Sequence, residues 1–182
     1  MLLASLDDVK SFLEMSDTTY DDLLTIILTG VSARIETFLN RDLYKEERTR
    51  YFNAGRRIFY LPAYPIDLTA TLSVWFDDDL QDLDDDYFVW ETEGLIEFYV
   101  APLYSEPKEI KITWTGGYSL TADLPTDLRY ATMLQTALVF RKRKNIGTSS
   151  MTLPDGSQSM VVTEALLPEV REILKTFRRK PS

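Results

Sequence analysis

The sequence contains neither cysteine nor histidine. Without cysteine there is no disulfide framework, no thiolate nucleophile and no Cys-based zinc site, and without histidine the commonest general base and metal ligand is missing. Glycine is scarce, seven residues in 182. The glycines form neither Gly-x-x-x-x-Gly-Lys-Ser/Thr nor Gly-x-Gly-x-x-Gly, so no phosphate cradle is expected, and the single pair Gly116-Gly117 reads as a turn. No run approaches the ~18 consecutive apolar residues of a membrane span, and the start, Met1-Leu2-Leu3-Ala4-Ser5-Leu6-Asp7-Asp8, lacks the basic segment of a signal peptide. Synthesis and retention in a cytoplasm, with no membrane partner, are expected. A pair of carboxylates is the one catalytic device left, and with 29 Asp/Glu close carboxylates arise by chance. No catalytic residue, cofactor or metal is assigned, and the chain reads as a structural subunit and not an enzyme.

What is present is the composition of a folded protein: 45% hydrophobic, 12% aromatic and 27% charged residues, enough for one main core. The formal charge of -9 is unevenly spread. Residues 1 to 128 carry 10 Lys/Arg against 25 Asp/Glu, or -15, and residues 129 to 182 carry 10 against 4, or +6. Such bipolarity suits a subunit stacked between unlike partners, and equally a basic tail helix on an acidic protein.

Ser5, Asp7 and Asp8 form a helix start, and Leu6, Val9, Phe12 and Leu13 make one apolar stripe over about 5 to 15. From about 19 to 40, Leu23, Ile27, Val31, Ile35, Phe38 and Leu39 recur at helical spacing, and Leu24, Ile26 and Leu28 widen the stripe beyond what one partner helix covers. A second burial surface, one that takes in Leu24, Leu28, Val31 and Ile35, is expected. Between 45 and 115 the period turns to alternation, with runs around 48–52, 58–61, 68–76, 87–90, 95–99 and 110–115 that read as five or six antiparallel strands. Trp75, Trp90 and Trp114 fall in these strands and read as sheet-packing residues. Asp123-Leu124-Pro125-Thr126-Asp127 starts another helix, with Leu128, Ala131, Leu134 and Leu138 on its stripe and Arg141-Lys142-Arg143-Lys144 at its end. Residues 145 to 163 read as a long loop, with a hairpin around Pro154-Asp155-Gly156 as the one packed alternative. A last helix, about 167 to 178, carries Leu167, Val170, Ile173, Leu174 and Phe177 on one face.

The fold class read from this pattern is α+β: a helical core of about four helices, residues 1–44 and 119–182, with an antiparallel β-insert at 45–118. Seven aspartates crowd residues 77 to 86. Asp82, Asp84, Asp86 and Glu93 fall at positions 1, 3, 5 and 12 of a calcium loop, but position 6 is Tyr87 where glycine is needed and strands flank the segment. A solvated turn that discourages edge-to-edge association is the simpler reading. The basic residues Arg141, Lys142, Arg143, Lys144, Lys175, Arg178, Arg179 and Lys180 are expected to touch a partner protein or passing DNA without sequence specificity. The alternative reading is a monomeric β-rich ligand- or calcium-binding module.

Several strings, in this order, resemble the head-tail connector family of tailed bacteriophages and prophages, also called head-completion or adaptor proteins. Leu6-Asp7-Asp8-Val9-Lys10-Ser11-Phe12-Leu13 is similar to the family's opening helix. Tyr20 to Ile27 with Ile35-Glu36-Thr37-Phe38-Leu39-Asn40-Arg41 resembles its second. Leu61-Pro62-Ala63-Tyr64-Pro65-Ile66 resembles the turn that starts its β-insert. Ile112-Thr113-Trp114-Thr115-Gly116-Gly117-Tyr118 followed by Leu124-Pro125-Thr126-Asp127-Leu128 resembles its strand, turn and helix start. The resemblance implies a ring, commonly dodecameric, under the portal at the capsid vertex of a virion. That ring extends the DNA channel and offers a stopper or tail-completion protein its docking surface. It also implies that the second helix packs between subunits through Leu24, Leu28, Val31 and Ile35, that the basic C-terminal helix and tail reach the portal, and that the loop at 145 to 163 orders on assembly. By the same resemblance, removing residues 176 to 182 is expected to spare folding and weaken portal docking. The aspartate run and the length of the loop after Asn145 depart from the family's pattern.

Overall fold

The computed structural model describes residues 2–101, 110–143, 150–152, 158–160 and 166–179. The chain divides into a helical unit, residues 1–39 with 124–178, and a sheet unit, residues 40–123 with 179–182.

In the helical unit, α1 (Leu6–Phe12) begins on a reciprocal cap. The Asp8 amide donates to Ser5 Oγ at 3.0 Å and the Ser5 amide donates to Asp8 Oδ2 at 3.3 Å, satisfying two donors that a helix start leaves open. The Ser5 hydroxyl first, and then the Arg129 guanidinium, hold the Asp8 carboxyl below its ordinary range. The long helix α2 (Asp21–Leu39) has carboxylates in its first turn, where the dipole favours them, and Lys10 Nζ ties it to α1 through Asp21 at 2.8 Å. Asn40, at φ 51°, ends it in a left-handed conformation that asparagine tolerates. Two more helices, α3 (Thr126–Lys142) and α4 (Pro168–Lys175), complete the unit. Leu24, Leu28, Val9, Ala4 and Phe140 share one core cluster. Leu134 and Leu138, expected on the buried stripe of α3, are only half-buried; the helix instead buries Thr132, Gln135 and Thr136 beside Leu128, Ala131, Ala137 and Phe140. Thr132 Oγ1 donates to the Leu128 carbonyl and Gln135 Oε1 accepts from the Leu167 amide at 3.0 Å, so these two enter the core with partners, while Thr136 Oγ1 is buried without one among the described residues.

Among the described residues the sheet unit holds seven strands, one or two more than expected. They are β1 (Glu46–Phe52), β2 (Ile58–Tyr60), β3 (Leu72–Phe76), β4 (Asp79–Gln81), β5 (Tyr87–Trp90), β6 (Leu95–Phe98) and β7 (Ile110–Gly116). They form two antiparallel sheets, one ordered β1-β7-β3-β4 and the other β2-β6-β5. Phe59, Val89, Ile96 and Phe98 from the second sheet share one core cluster with Val74, Ile110, Ile112 and Trp114 from the first. The two sheets therefore bury one face each against the other. Trp114 is fully buried, and its indole N–H donates to the Ala63 carbonyl at 2.9 Å.

Unlike the expected boundaries, 40–44 and 119–123 belong with the sheets. The reason is local: the Tyr118 amide donates to the Leu43 carbonyl at 2.7 Å, and the Lys45 amide to the Tyr118 carbonyl at 3.0 Å. These bonds clasp the two ends of the insert together. Arg41 is also buried here, with its guanidinium 3.4 Å from the centre of the Tyr64 ring and donating to the Tyr64 carbonyl. Burial pushes its pKa down while the Tyr64 and Tyr118 side chains oppose the shift.

A third pairing joins β8 (Ser150–Thr152) and β9 (Gln158–Met160), antiparallel, with Thr152 opposite Gln158. This is the hairpin alternative for the segment expected as a loop. Its turn, and the remainder of 145–163, lie outside the described residues.

Asp67 closes the start of β1 onto the following turn. Its carboxylate meets Lys45 Nζ at 2.5 Å and accepts from the Thr69 amide and hydroxyl at 2.9 and 2.6 Å. Lys45 first, then Thr69, hold its pKa down at about 2 from 3.8. A depressed carboxyl stabilises the fold above its unfolded pKa and loses that contribution as pH falls through the folded value. Asp67→Asn is therefore expected to be less stable than the parent at pH 6. In urea melts the gap should shrink between about pH 4 and pH 2. A gap unchanged over that window would show that the ionised carboxylate contributes nothing.

Candidate assembly surfaces

In the helical unit, Leu24, Leu28 and Ile35 are 0% exposed and Val31 is 5% exposed. The expectation that they meet a neighbouring subunit is corrected by this geometry. The wide stripe of α2 is covered by α1, α3 and α4 of its own chain, which leaves these four no surface for a second copy. What α2 does present outward is Ile26, 69% exposed, and its C-terminal half.

That half forms one wall of a groove of about 680 Å³, with α4 as the other. The groove is lined by Ala33, Arg34, Thr37, Phe38, Leu166, Arg171, Lys175 and Arg178. The floor is apolar and the rim cationic. The Arg178 guanidinium lies 5.3 Å from the centre of the Phe38 ring, a cation–π distance, and Lys175 Nζ pairs with exposed Glu172 at 2.6 Å. Lys175 and Arg178, two of the expected contact residues, are thus brought together here.

The others are placed elsewhere. Arg141 is exposed and Lys142 half-buried at the end of α3. Arg143 is engaged by its own helix: Nη1 donates to the Phe140 carbonyl at 2.6 Å, and the guanidinium stacks 3.7 Å from the Phe140 ring centre and 5.0 Å from that of Tyr20. Arg179 belongs to the sheet unit, where Nη2 donates to the Tyr60 carbonyl on β2 at 2.8 Å. Burial first, and then Arg50, push its pKa down. Lys144 and Lys180 lie outside the described residues.

In the sheet unit, the β2-β6-β5 sheet turns an apolar face outward. Register sets Ile58, Glu97 and Phe88 in one row and Tyr60, Leu95 and Trp90 in the next. Ile58, Tyr60, Phe88 and Trp90 are 37 to 46% exposed. Phe88 and Trp90 stack edge to face at 5.4 Å. Glu97, among them, accepts from the Trp90 indole at 3.3 Å and pairs with Arg57 at 2.8 Å. Both ends of the β5–β6 hairpin are acidic, with Asp84–Asp86 before it and Glu91 and Glu93 in its turn. The outward face of the other sheet carries Thr49 hydrogen-bonded to Thr113 at 2.8 Å and, one row on, exposed Tyr51 and Leu80 either side of Lys111 and Trp75.

The aspartate run builds turns. Asp77 and Asp78 carry positive φ between β3 and β4, as does Asp84 before β5, and Asp86 Oδ2 accepts from the Asp82 amide at 2.8 Å. Burial first, then Asp82, Asp84 and Asp86, push the Tyr87 phenol up. Among the described residues no three acidic side chains converge where a metal ion would sit, and no helix is long and apolar enough to cross a membrane.

Residues 2–180 match the head completion protein family. The chain belongs to that family. Its fold is shared with chains of known structure. A chain in the neck of an empty gene transfer agent particle, computed with C6 symmetry, superposes with a TM-score of 0.62 at 18% identity, covering 99% of this chain and 91% of that one. A chain in the virion of the native gene transfer agent particle gives the same values. A third, in the neck of the native particle computed with C12 symmetry, gives a TM-score of 0.53 at 17% identity, covering 97% and 89%. No curated protein matches the chain.

For a head completion protein, the surfaces of interest are those left open by the fold, and the sequence pattern singled out neither. The groove needs Phe38 and Leu166, far apart in sequence. The outer sheet face did carry a signal. Tyr87-Phe88-Val89-Trp90 and Ile58-Phe59-Tyr60 are apolar at every position, and a strand that is apolar on both sides reads as covered on both sides.

Proposed function

We propose that this head completion protein is a structural subunit of the neck, forming a ring, in the virion a dodecamer, between the portal and the stopper or tail. The ring extends the DNA channel and completes the head after packaging. The observation that carries this reading is the fold shared over 97 to 99% of the chain with subunits of gene transfer agent necks, one of them computed with C12 symmetry. The mechanism is assembly: binding energy from docking is the work the protein does, and no chemical step is assigned to it.

Within the ring, Arg141 and Lys142, with the adjoining Lys144, are proposed to face the channel, where point charges on a helix end hold DNA phosphates without reading bases. Lys175 and Arg178 are assigned to a protein contact instead, because they border an apolar floor. The end of the chain beyond the groove is the proposed route to the portal. Removal of residues 176 to 182 also deletes the Arg178–Phe38 and Arg179–Tyr60 contacts, so docking is better tested on the whole chain.

Mass by light scattering over a concentration series, alone and with a purified portal ring, followed by negative-stain imaging, tests the reading. Rings, or a monomer captured on the portal, are expected. A monomer that ignores portals at every concentration would sink it.

A further inference from the structure

Resting on the ring reading, we propose that the outer face of the β2-β6-β5 sheet of one copy seats in the α2–α4 groove of the next, a head-to-tail contact between two unlike surfaces of the same chain. A ring of identical subunits closes only through two different patches on each subunit, since a patch that pairs with itself stops at a dimer. The chain presents two such patches, and their chemistry is opposite in sign.

The sheet face offers Ile58, Phe88 and Trp90 around Glu97. An exposed aromatic cluster of this kind marks a contact site; the outward face of the other sheet also exposes Tyr51 and Leu80, but there Lys111 and not a carboxylate lies in the row. The groove offers the Phe38 ring as floor and Lys175 and Arg178 as rim. Apolar area meets apolar area, and the acidic ends of the β5–β6 hairpin meet cations. The balance of charge agrees over a longer range. Residues 40–123 carry 8 Lys/Arg against 17 Asp/Glu, and residues 166–178 carry 3 against 2. Complementary fields of this kind steer encounter and suppress wrong pairings. The same argument disfavours a two-fold pairing of the sheet face with itself, which would set Asp84–Asp86, Glu91 and Glu93 of one copy against those of another.

The test uses two double variants of the whole chain, Phe88→Ser with Trp90→Ser on the face and Lys175→Glu with Arg178→Glu in the groove. All four positions are exposed, and circular dichroism checks that both variants fold. Each alone is expected to stay monomeric at concentrations where the wild type forms rings. Mixed in equal amounts they should give a species of twice the monomer mass and nothing larger, because one intact face and one intact groove remain between them.

The absence of native cysteine gives a second readout. Glu93→Cys and Lys175→Cys chains, mixed at high concentration and oxidised with copper phenanthroline, should yield the mixed disulfide in excess over either homodimer. Rings from either double variant alone, a mixture that stays monomeric, or a dominant 93-to-93 homodimer would overturn the inference while leaving the ring reading standing. A groove variant that rings normally but no longer binds a portal ring would also overturn it, making the portal the groove's occupant. A wild type that forms no ring under any condition would sink the ring reading itself, and this contact with it.

Discussion

Trp114→Ala is expected to lower stability by about 4 kcal/mol and the melting temperature by on the order of 10 °C. Trp114 sits on β7, the strand between β1 and β3, with Arg48 and Leu72 as its cross-strand neighbours. Its side chain is the largest of the fully buried ones. Truncation leaves a cavity between two sheets whose strands are fixed by their ladders, so collapse around it is limited. It also removes the indole donor from the Ala63 carbonyl. Trp114→Phe separates the two effects, because most of the volume returns and only the hydrogen bond is lost, at a cost of about 1 to 2 kcal/mol. Thermal melts of the three chains followed by near-ultraviolet circular dichroism make the comparison. Equal losses for the alanine and phenylalanine variants would mean that the hydrogen bond, and not the volume, dominates.

Gly117→Ala is expected to be nearly as damaging, for a different reason. Gly117 has φ +108°, where a side chain is strained in any surroundings, and a Cβ there would lie 2.7 Å from the Tyr44 backbone. Strain of roughly 1 to 3 kcal/mol adds to an overlap that only movement of the backbone can relieve. The neighbouring turn cannot shift freely, since the Tyr118 amide is bonded to Leu43 and the Gly117 amide to the Pro65 carbonyl at 2.9 Å. The outcome should be a loss of about 3 kcal/mol by urea denaturation, with no change in the helical unit's far-ultraviolet signal at zero denaturant. A variant within about 0.5 kcal/mol of the parent would show that the turn has an alternative conformation of similar energy.

These two positions mark how far the sequence could be read. That Trp114 packs in a strand followed from the alternation of Ile110, Ile112 and Trp114, and that Gly116-Gly117 turns the chain followed from the residue type. The order β1-β7-β3-β4 did not, because strand partners far apart in sequence leave no local trace. The short strand β4 was hidden by its own residues: Asp79-Leu80-Gln81 continues an acidic turn and has no apolar face. On α2 the width of the stripe was legible but its partner was not. A helix covered by three neighbours in its own chain and a helix covered by another subunit present the same pattern, and here Leu24, Leu28, Val31 and Ile35 go to the protomer's core. In α3 the buried set includes Thr132, Gln135 and Thr136. A hydrophobic count misses them: Thr132 and Gln135 enter the core with hydrogen-bond partners, and Thr136 Oγ1 is buried without one among the described residues. The basic residues read alike in the sequence, and only the fold separates Arg143, spent on its own aromatic neighbours, from Lys175 and Arg178 at the groove.

The clasp between Leu43, Lys45 and Tyr118 has a kinetic consequence. Helices α2 and α3 are separated in the chain by residues 40–125, and bringing them together from the unfolded state closes a loop of that whole length. Once the two ends of the insert are bonded to each other, the effective loop shrinks to roughly a dozen residues. Closure entropy scaling as the logarithm of loop length then falls by about 2 kcal/mol. The sheets are therefore expected to form before the helices meet, although helices alone are the faster elements to form. Refolding of the Trp114→Ala chain should show the coupling as a delayed return of the helical signal, the 86-residue segment between the helices setting the pace at which they meet.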